Sequence, residues 1–372
     1  MNRKIVTFIS LALIAVLAVG QVFTAGRGFS KMENRYLASM PKAEWETVSS
    51  GAWMQQLETY LADHVPARDE WVQMKNTMLQ LTGRKQIGQV VYAGDERLIQ
   101  VQDISMEQLK KNVQLISDFA AVLPEQVQFN LLVAPNASWI YQNLLPEETQ
   151  TYDPEQALEI LQTEMSQKIR LIVPYDTLQQ HKNEAIYFKT DHHWTMRGAA
   201  YAYRVLAEEL DMMGQDPFEY NIEISKLKFL GSIYSQAPSF GFEGEMFEIF
   251  QVPGLEATWT TGLQSGPVLD REKLSEKDQY AAFFGGNYGF VRIENESARS
   301  DEKLLILKDS YANILVPFLI EDYREIIMVD LRYYKGSVKA LATEEAVDQI
   351  LAIYNMDFLC TDQSFVWLGV GK

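Results

Sequence analysis

From about residue 105 to the C-terminus, short apolar runs alternate with stretches of helical spacing. This alternation restricts the chain to a sheet covered by helices. Ser105 to Leu123 repeats apolar residues every three or four positions, which predicts a helix. Gln128 to Val133 predicts a strand ending at Ala134-Pro135-Asn136. Pro154 to Lys168 reads as a helix, Arg170 to Val173 as a strand, and Thr195 to Met213 as a strongly amphipathic helix. Leu304 to Leu307 reads as a short buried strand with a helix following from about Tyr311. Ile326 to Val329 reads as another strand, Glu344 to Tyr354 as a helix, and Asp357 to Cys360 as a last strand. The expected fold class is therefore α/β, with a mostly parallel sheet whose active site lies at the carboxyl ends of its strands. Residues 216–295 are less periodic and rich in Gly, Phe and Tyr, which predicts an insertion decorating the site.

Upstream, Arg3 and Lys4 precede an uncharged stretch from Ile5 to Gly26, long enough for a membrane-spanning helix. The positive flank places the remainder outside the cytoplasm, and the length of the run favours a signal anchor over a cleaved signal peptide. The expected organisation is an anchor over 1–26, a connector and helical segment over 27–85, and the α/β domain over 86–372. Within the second part, Ser50 to Thr82 predicts two helices broken around Pro66, between Asp63 and Arg68. Gln86 to Gln100 predicts a hairpin turning near Gly94-Asp95.

The formal net charge of −17 argues against nucleic acid as a partner, because phosphates repel such a surface. The single cysteine, Cys360, can form no internal disulfide and no thiolate metal site. Its apolar neighbours predict a buried structural thiol.

Two segments carry chemistry. Lys189-Thr190-Asp191-His192-His193-Trp194-Thr195 holds two of the four histidines beside a carboxylate, just before a helix that Thr195 can cap. Leu304 to Asn313 runs an apolar strand into Asp309-Ser310 and then a helix, a turn that exposes a serine at the sheet's edge near backbone N–H groups. A serine hydroxyl needs a histidine base and a carboxylate behind that ring. Asp191 and His193 can supply both from one loop, with His192 as the competing base. Read separately, each segment also fits an ordinary helix cap; together they favour catalysis. The Ser310 or Tyr311 N–H and the Asn313 or Asn287 side chains are candidate donors to an oxyanion. Arg332, among Tyr333 and Tyr334, is a candidate for binding an anionic or hydroxylated sugar, or else for an ion pair. Gly231-Ser232 is expected to line the cleft, and Asp63, His64 and Arg68 to be structural.

The Asp191-His192-His193-Trp194 segment resembles the signature of the DHHW family of bacterial exported proteins, which is similar to the SGNH-hydrolase-like alginate O-acetylation proteins. In those relatives an Asp-x-His pair precedes the serine, as Asp191 and His193 precede Ser310 in Lys308-Asp309-Ser310. Weaker matches are Glu33-Asn34-Arg35, residues 63–68, 187–194 and 283–287, and Asp330-Leu331-Arg332-Tyr333-Tyr334. The resemblance implies an SGNH-like three-layer domain. Its expected activity is to transfer or hydrolyse O-acyl groups, typically acetyl, on a cell-surface polysaccharide. A membrane O-acyltransferase is the implied supplier of acyl groups. Pro135-Asn136-Ala137 departs from the Pro-x-Lys of alginate-type relatives, which argues against alginate as the substrate. No cofactor and no metal are expected. A metal-dependent phosphoesterase needs more ligands than His64 and His181 add to Asp191-His192-His193. The remaining rival is a non-catalytic glycan-binding or assembly protein.

Overall fold

The computed structural model describes residues 3–24, 27–149 and 151–371. They fall into two compact units: residues 1–88 with 234–242, and residues 89–233 with 243–372.

In the first unit a helix runs from Arg3 to Thr24. Among the described residues no helix is long and apolar enough to cross a membrane. Residues 1, 2, 25 and 26 of the expected span lie outside the described set. Helices Ala52–Asp63 and Arg68–Leu81 flank the break at Pro66. The polar segment before them is organised by charge. Arg35 bonds Asp63 through both guanidinium nitrogens, at 2.5 and 3.0 Å, and the Ala38 N–H donates to the same carboxylate. The Arg35 hydrogen bond, chiefly, holds the Asp63 carboxyl down at about 2. Arg68 pairs with Glu33.

The second unit is built on eight strands: β1 (Gln128–Ala134), β2 (Ile169–Ile172), β3 (Thr258–Thr260), β4 (Ser265–Pro267), β5 (Phe290–Glu294), β6 (Lys303–Lys308), β7 (Glu325–Val329) and β8 (Gln349–Asn355). Across the sheet they run β4-β3-β5-β7-β6-β8-β1-β2. The five from β7 to β2 are mutually parallel, while β5, β3 and β4 extend the sheet antiparallel. The aperiodic insertion thus supplies the three strands at one side of the sheet, β3, β4 and β5.

Successive residues of β6 face opposite layers. Leu304 and Ile306 join a core with the Met196–Glu209 helix, and Leu305 and Leu307 join one with the Met106–Ala121 and Pro154–Glu164 helices. Burial on both faces is what a parallel central strand requires, and each such side chain contributes roughly 1.5–3 kcal/mol. Cys360 is buried in the second of these cores, and burial pushes its thiol up.

Two expectations fail at the C-terminus. The helix expected over Glu344–Tyr354 is instead the end of a helix (Val338–Glu344), a turn, and then β8. The strand expected over Asp357–Cys360 is the helix Met356–Thr361, capped by the Asn355 side chain, which accepts from Phe358 N at 3.0 Å. An unbroken apolar run such as Ile350 to Tyr354 has no period of its own, so a doubly buried strand and a buried helix read alike. The helix expected from Tyr311 is a single turn, Ala312–Leu315, followed by a 3-10 turn containing Pro317.

Candidate active site

Ser310 sits in the turn just beyond β6, at the carboxyl end of the parallel strands. The preceding Asp309 builds this turn. Its Oδ1 accepts the Tyr311 N–H at 2.8 Å, and its Oδ2 accepts both the Asn355 N–H and the Asn355 side-chain amide at 2.7 Å. One buried carboxylate therefore fastens the turn to the end of β8. Burial pushes the Asp309 carboxyl up, against the pull of these donors.

The Lys189–Thr195 loop meets this turn. His193 Nε2 lies 2.7 Å from Ser310 Oγ, and His193 Nδ1 lies 2.6 Å from Asp191 Oδ1. With Nδ1–H donated to the carboxylate, Nε2 accepts the serine proton. The Ser232 N–H donates to the other Asp191 oxygen at 2.7 Å. Burial opposes ionisation of Asp191, yet the adjacent His193 and His192 and the bonds from His193 and Ser232 hold its carboxyl well below the usual range. The three expected residues are brought together, and the choice between the two histidines falls on His193. His192 points elsewhere, its Nδ1 2.8 Å from Ser232 Oγ and its carbonyl accepting the Tyr311 hydroxyl. Trp194 is fully buried and donates through Nε1 to the Tyr311 carbonyl at 3.0 Å. Thr195 caps the following helix through Gly198 N.

Tyr311 departs from expectation. Its N–H is taken by Asp309 and its hydroxyl by His192, so neither is left for a substrate or an oxyanion. The Ser310 N–H has no partner among the described residues. Asn313 is buried and donates to Asn287 Oδ1 at 3.3 Å, while Asn287 is exposed and also accepts from Lys308 Nζ at 3.1 Å. Arg332 makes two bonds to the buried Asp330, at 2.9 and 2.6 Å. It is an ion pair with one partner buried, with the guanidinium between the Tyr333 and Phe358 rings.

Three supports were not legible as such. Tyr280, in the insertion, stacks on His193 and donates to the Ser310 carbonyl at 2.8 Å. Gly231 presses against Asp191, where a Cβ would come within 2.4 Å of the Asp191 Cβ. Lys308 is buried beside Asp330, and desolvation brings its ammonium down to about 8. Nothing in the sequence marks Tyr280; Gly231-Ser232, expected to line the cleft, instead braces Asp191.

Asp191, His192 and His193 hold ligand-type atoms within 4.8 Å of one another. Here the Asp191 oxygens and both His193 nitrogens are already engaged with each other, with Ser310 and with Ser232.

The family model of DHHW proteins matches residues 86–329. The chain belongs to the DHHW family. A DHHW family protein from Eubacterium siraeum superposes with a TM-score of 0.62 at 22% identity, covering 75% of this chain and 94% of that one. Bacillus cereus PatB1 gives 0.64 at 21% identity, covering 73% and 97%. The O-acetyltransferase domain of Pseudomonas putida AlgJ gives 0.46 at 14% identity, covering 72% and 91%. At these identities the first two establish a shared fold. No curated protein sequence is matched by this DHHW chain.

Proposed function

We propose that this DHHW protein is a serine-dependent O-acyltransferase or O-acylesterase that works on a cell-surface polysaccharide through an acyl-Ser310 intermediate. The observation that carries the reading is the unbroken chain from Ser310 Oγ through His193 to Asp191, with 2.7 and 2.6 Å links. In the first half-reaction Ser310 Oγ attacks the acyl carbon and His193 Nε2 takes the hydroxyl proton. Asp191 keeps the ring oriented and stabilises the imidazolium. The carbonyl oxygen becomes an oxyanion, for which the Ser310 N–H and the exposed Asn287 amide are the donors left uncommitted. Collapse expels the donor's alkoxide, which takes the proton from His193. In the second half-reaction a sugar hydroxyl or water gives its proton to His193 and attacks the acyl carbon; the bond to Ser310 Oγ then breaks, and Oγ takes that proton back from His193.

The polysaccharide, and a membrane O-acyltransferase as the acyl supplier, come from the family resemblance. Export and anchoring rest on the uncharged run after Arg3-Lys4. The test is mass spectrometry of the protein after incubation with 4-nitrophenyl acetate. An acetyl group on Ser310, absent from Ser310→Ala and from urea-unfolded protein, is the expected result. An unmodified Ser310 in folded protein overturns the reading and leaves the glycan-holding scaffold.

A further inference from the structure

A cavity of about 510 Å³ lies among the segments that follow β1 and β2, the hairpin turn around Gly94, and Glu245 of the insertion. None of Ser310, His193 and Asp191 lines it. Its size is that of a small-molecule site, and it sits beyond the carboxyl ends of parallel strands, where such folds bind ligands.

Its lining is mixed, with polar and charged side chains set among apolar ones, and two of its polar atoms are unsatisfied. The Arg97 guanidinium lies 4.2 Å from the centroid of the Tyr141 ring. Arg97 Nη1 and the Tyr141 hydroxyl are both buried without a hydrogen-bond partner among the described residues. A buried donor left unmade costs about 1–3 kcal/mol, so two in one cavity wall call for a partner. Charge in the lining nearly balances: Arg97, Lys182 and Lys189 face Asp95, Glu184 and Glu245, the last kept partly protonated by its burial. A balanced wall gives no net preference to an anion or a cation, and hydroxyl groups, which donate and accept, match it. The Tyr141 face is already covered by Arg97, so recognition rests on hydrogen bonds rather than on stacking. The cavity is also coupled to the active-site loop, because Glu245 Oε1 accepts the Lys189 and Thr190 N–H groups at 2.5 and 3.3 Å, next to Asp191.

We propose that this cavity, lined by Arg97, Tyr141, Lys182 and Glu245, is a subsite for an uncharged sugar residue of the acceptor glycan. The glycan's role as acceptor rests on the acyl-transfer reading; the binding does not. The probes are neutral pentasaccharides of xylose, glucose and N-acetylglucosamine, with pentagalacturonate as the anionic comparison. Binding to the full-length Ser310→Ala chain is followed by saturation-transfer NMR. The expected result is binding of at least one neutral probe, weakened about tenfold or more in Arg97→Leu and in Lys182→Glu, whose melting curves report that each is folded. No binding by any neutral probe, binding by the anionic probe alone, or binding unchanged in both variants overturns the inference. Acetylation of wild-type Ser310 is scored separately. If Ser310 is never acetylated but the variants lose the sugar, the acyl-transfer reading falls and the subsite stands; the converse result removes the subsite alone.

Discussion

The imidazole of His193 lies flat on the ring of Tyr280, with centroids 3.7 Å apart and planes 5° from parallel. The same tyrosine donates its hydroxyl to the Ser310 carbonyl at 2.8 Å. Tyr280 therefore fixes the plane of the base and the backbone of the serine together. Small errors in such geometry are costly, since a misplacement of about 1 Å can cost about a hundredfold in rate. Tyr280→Phe keeps the stacking face and loses the hydroxyl, and a fall of about three- to tenfold in the rate of Ser310 acetylation is expected. Tyr280→Leu loses both and should fall about a hundredfold. Equal rates for wild type and Tyr280→Leu would remove Tyr280 from the positioning of the site.

Asp191→Asn should retain the loop but present the wrong hydrogen-bonding pattern to His193 Nδ1. An amide that donates there favours the tautomer with its proton on Nε2, which cannot accept from Ser310. A loss of about a thousandfold or more in acetylation rate is expected, with the melting temperature nearly kept. His192→Gln, by contrast, should cost far less, because the His192 ring contacts Ser232 and not Ser310. A larger loss in His192→Gln than in His193→Gln would reverse the assignment of the base.

How far the sequence reveals this site depends on what each residue is asked to do. Ser310, His193 and Asp191 are legible because acyl transfer demands those functional groups, and because a strand-to-helix turn and a pre-helix loop are where such groups must sit. The parallel strands β1, β6 and β7 are legible from their short apolar runs. β8 is not, although its end at Asn355 anchors Asp309, because residues 350–354 are apolar on both faces and carry no period. Tyr280 is illegible for another reason. Stacking is a property of two rings meeting from distant segments, and the insertion around it has no pattern from which a partner can be inferred.

Gly231→Ala should damage the site without removing a catalytic group. Its Cβ would lie 2.4 Å from Asp191 Cβ and 2.6 Å from Oδ2, so either the carboxylate or the loop must move. Movement breaks the Ser232 N–H bond to Asp191. Overpacking of this kind costs about 1–3 kcal/mol. The expected outcome is a lower denaturation midpoint together with an acetylation rate reduced by about tenfold or more. An unchanged rate would mean that the Ser232 bond does not set the position of Asp191.

Chelation gives a clean test of the Asp191-His192-His193 cluster. A metal ion there would have to displace the His193–Asp191 hydrogen bond and the Ser310 contact at once. Acetylation of Ser310 is expected to be the same before and after dialysis against EDTA, and the same when zinc is restored. Loss on dialysis with recovery on adding zinc would assign the cluster to a metal instead.

Glu245 gives the stability of the fold a specific dependence on pH. Burial raises its carboxyl to about 7, against the hydrogen bonds from the Lys189 and Thr190 N–H groups. In the unfolded chain a glutamate titrates near 4.3. Between these values the native state holds a proton that the unfolded state has lost, so stability falls as pH rises through this window and then levels off. The stabilisation is full below the unfolded value and lost above about 7. The contribution amounts to at most about 4 kcal/mol. Glu245→Gln keeps an oxygen to accept the two backbone N–H groups and removes the titration. Urea unfolding of both proteins should therefore show a stability difference that shifts in favour of the variant between about pH 4.5 and pH 7.5. A difference that stays constant across this range would show that Glu245 carries its charge in the native protein throughout.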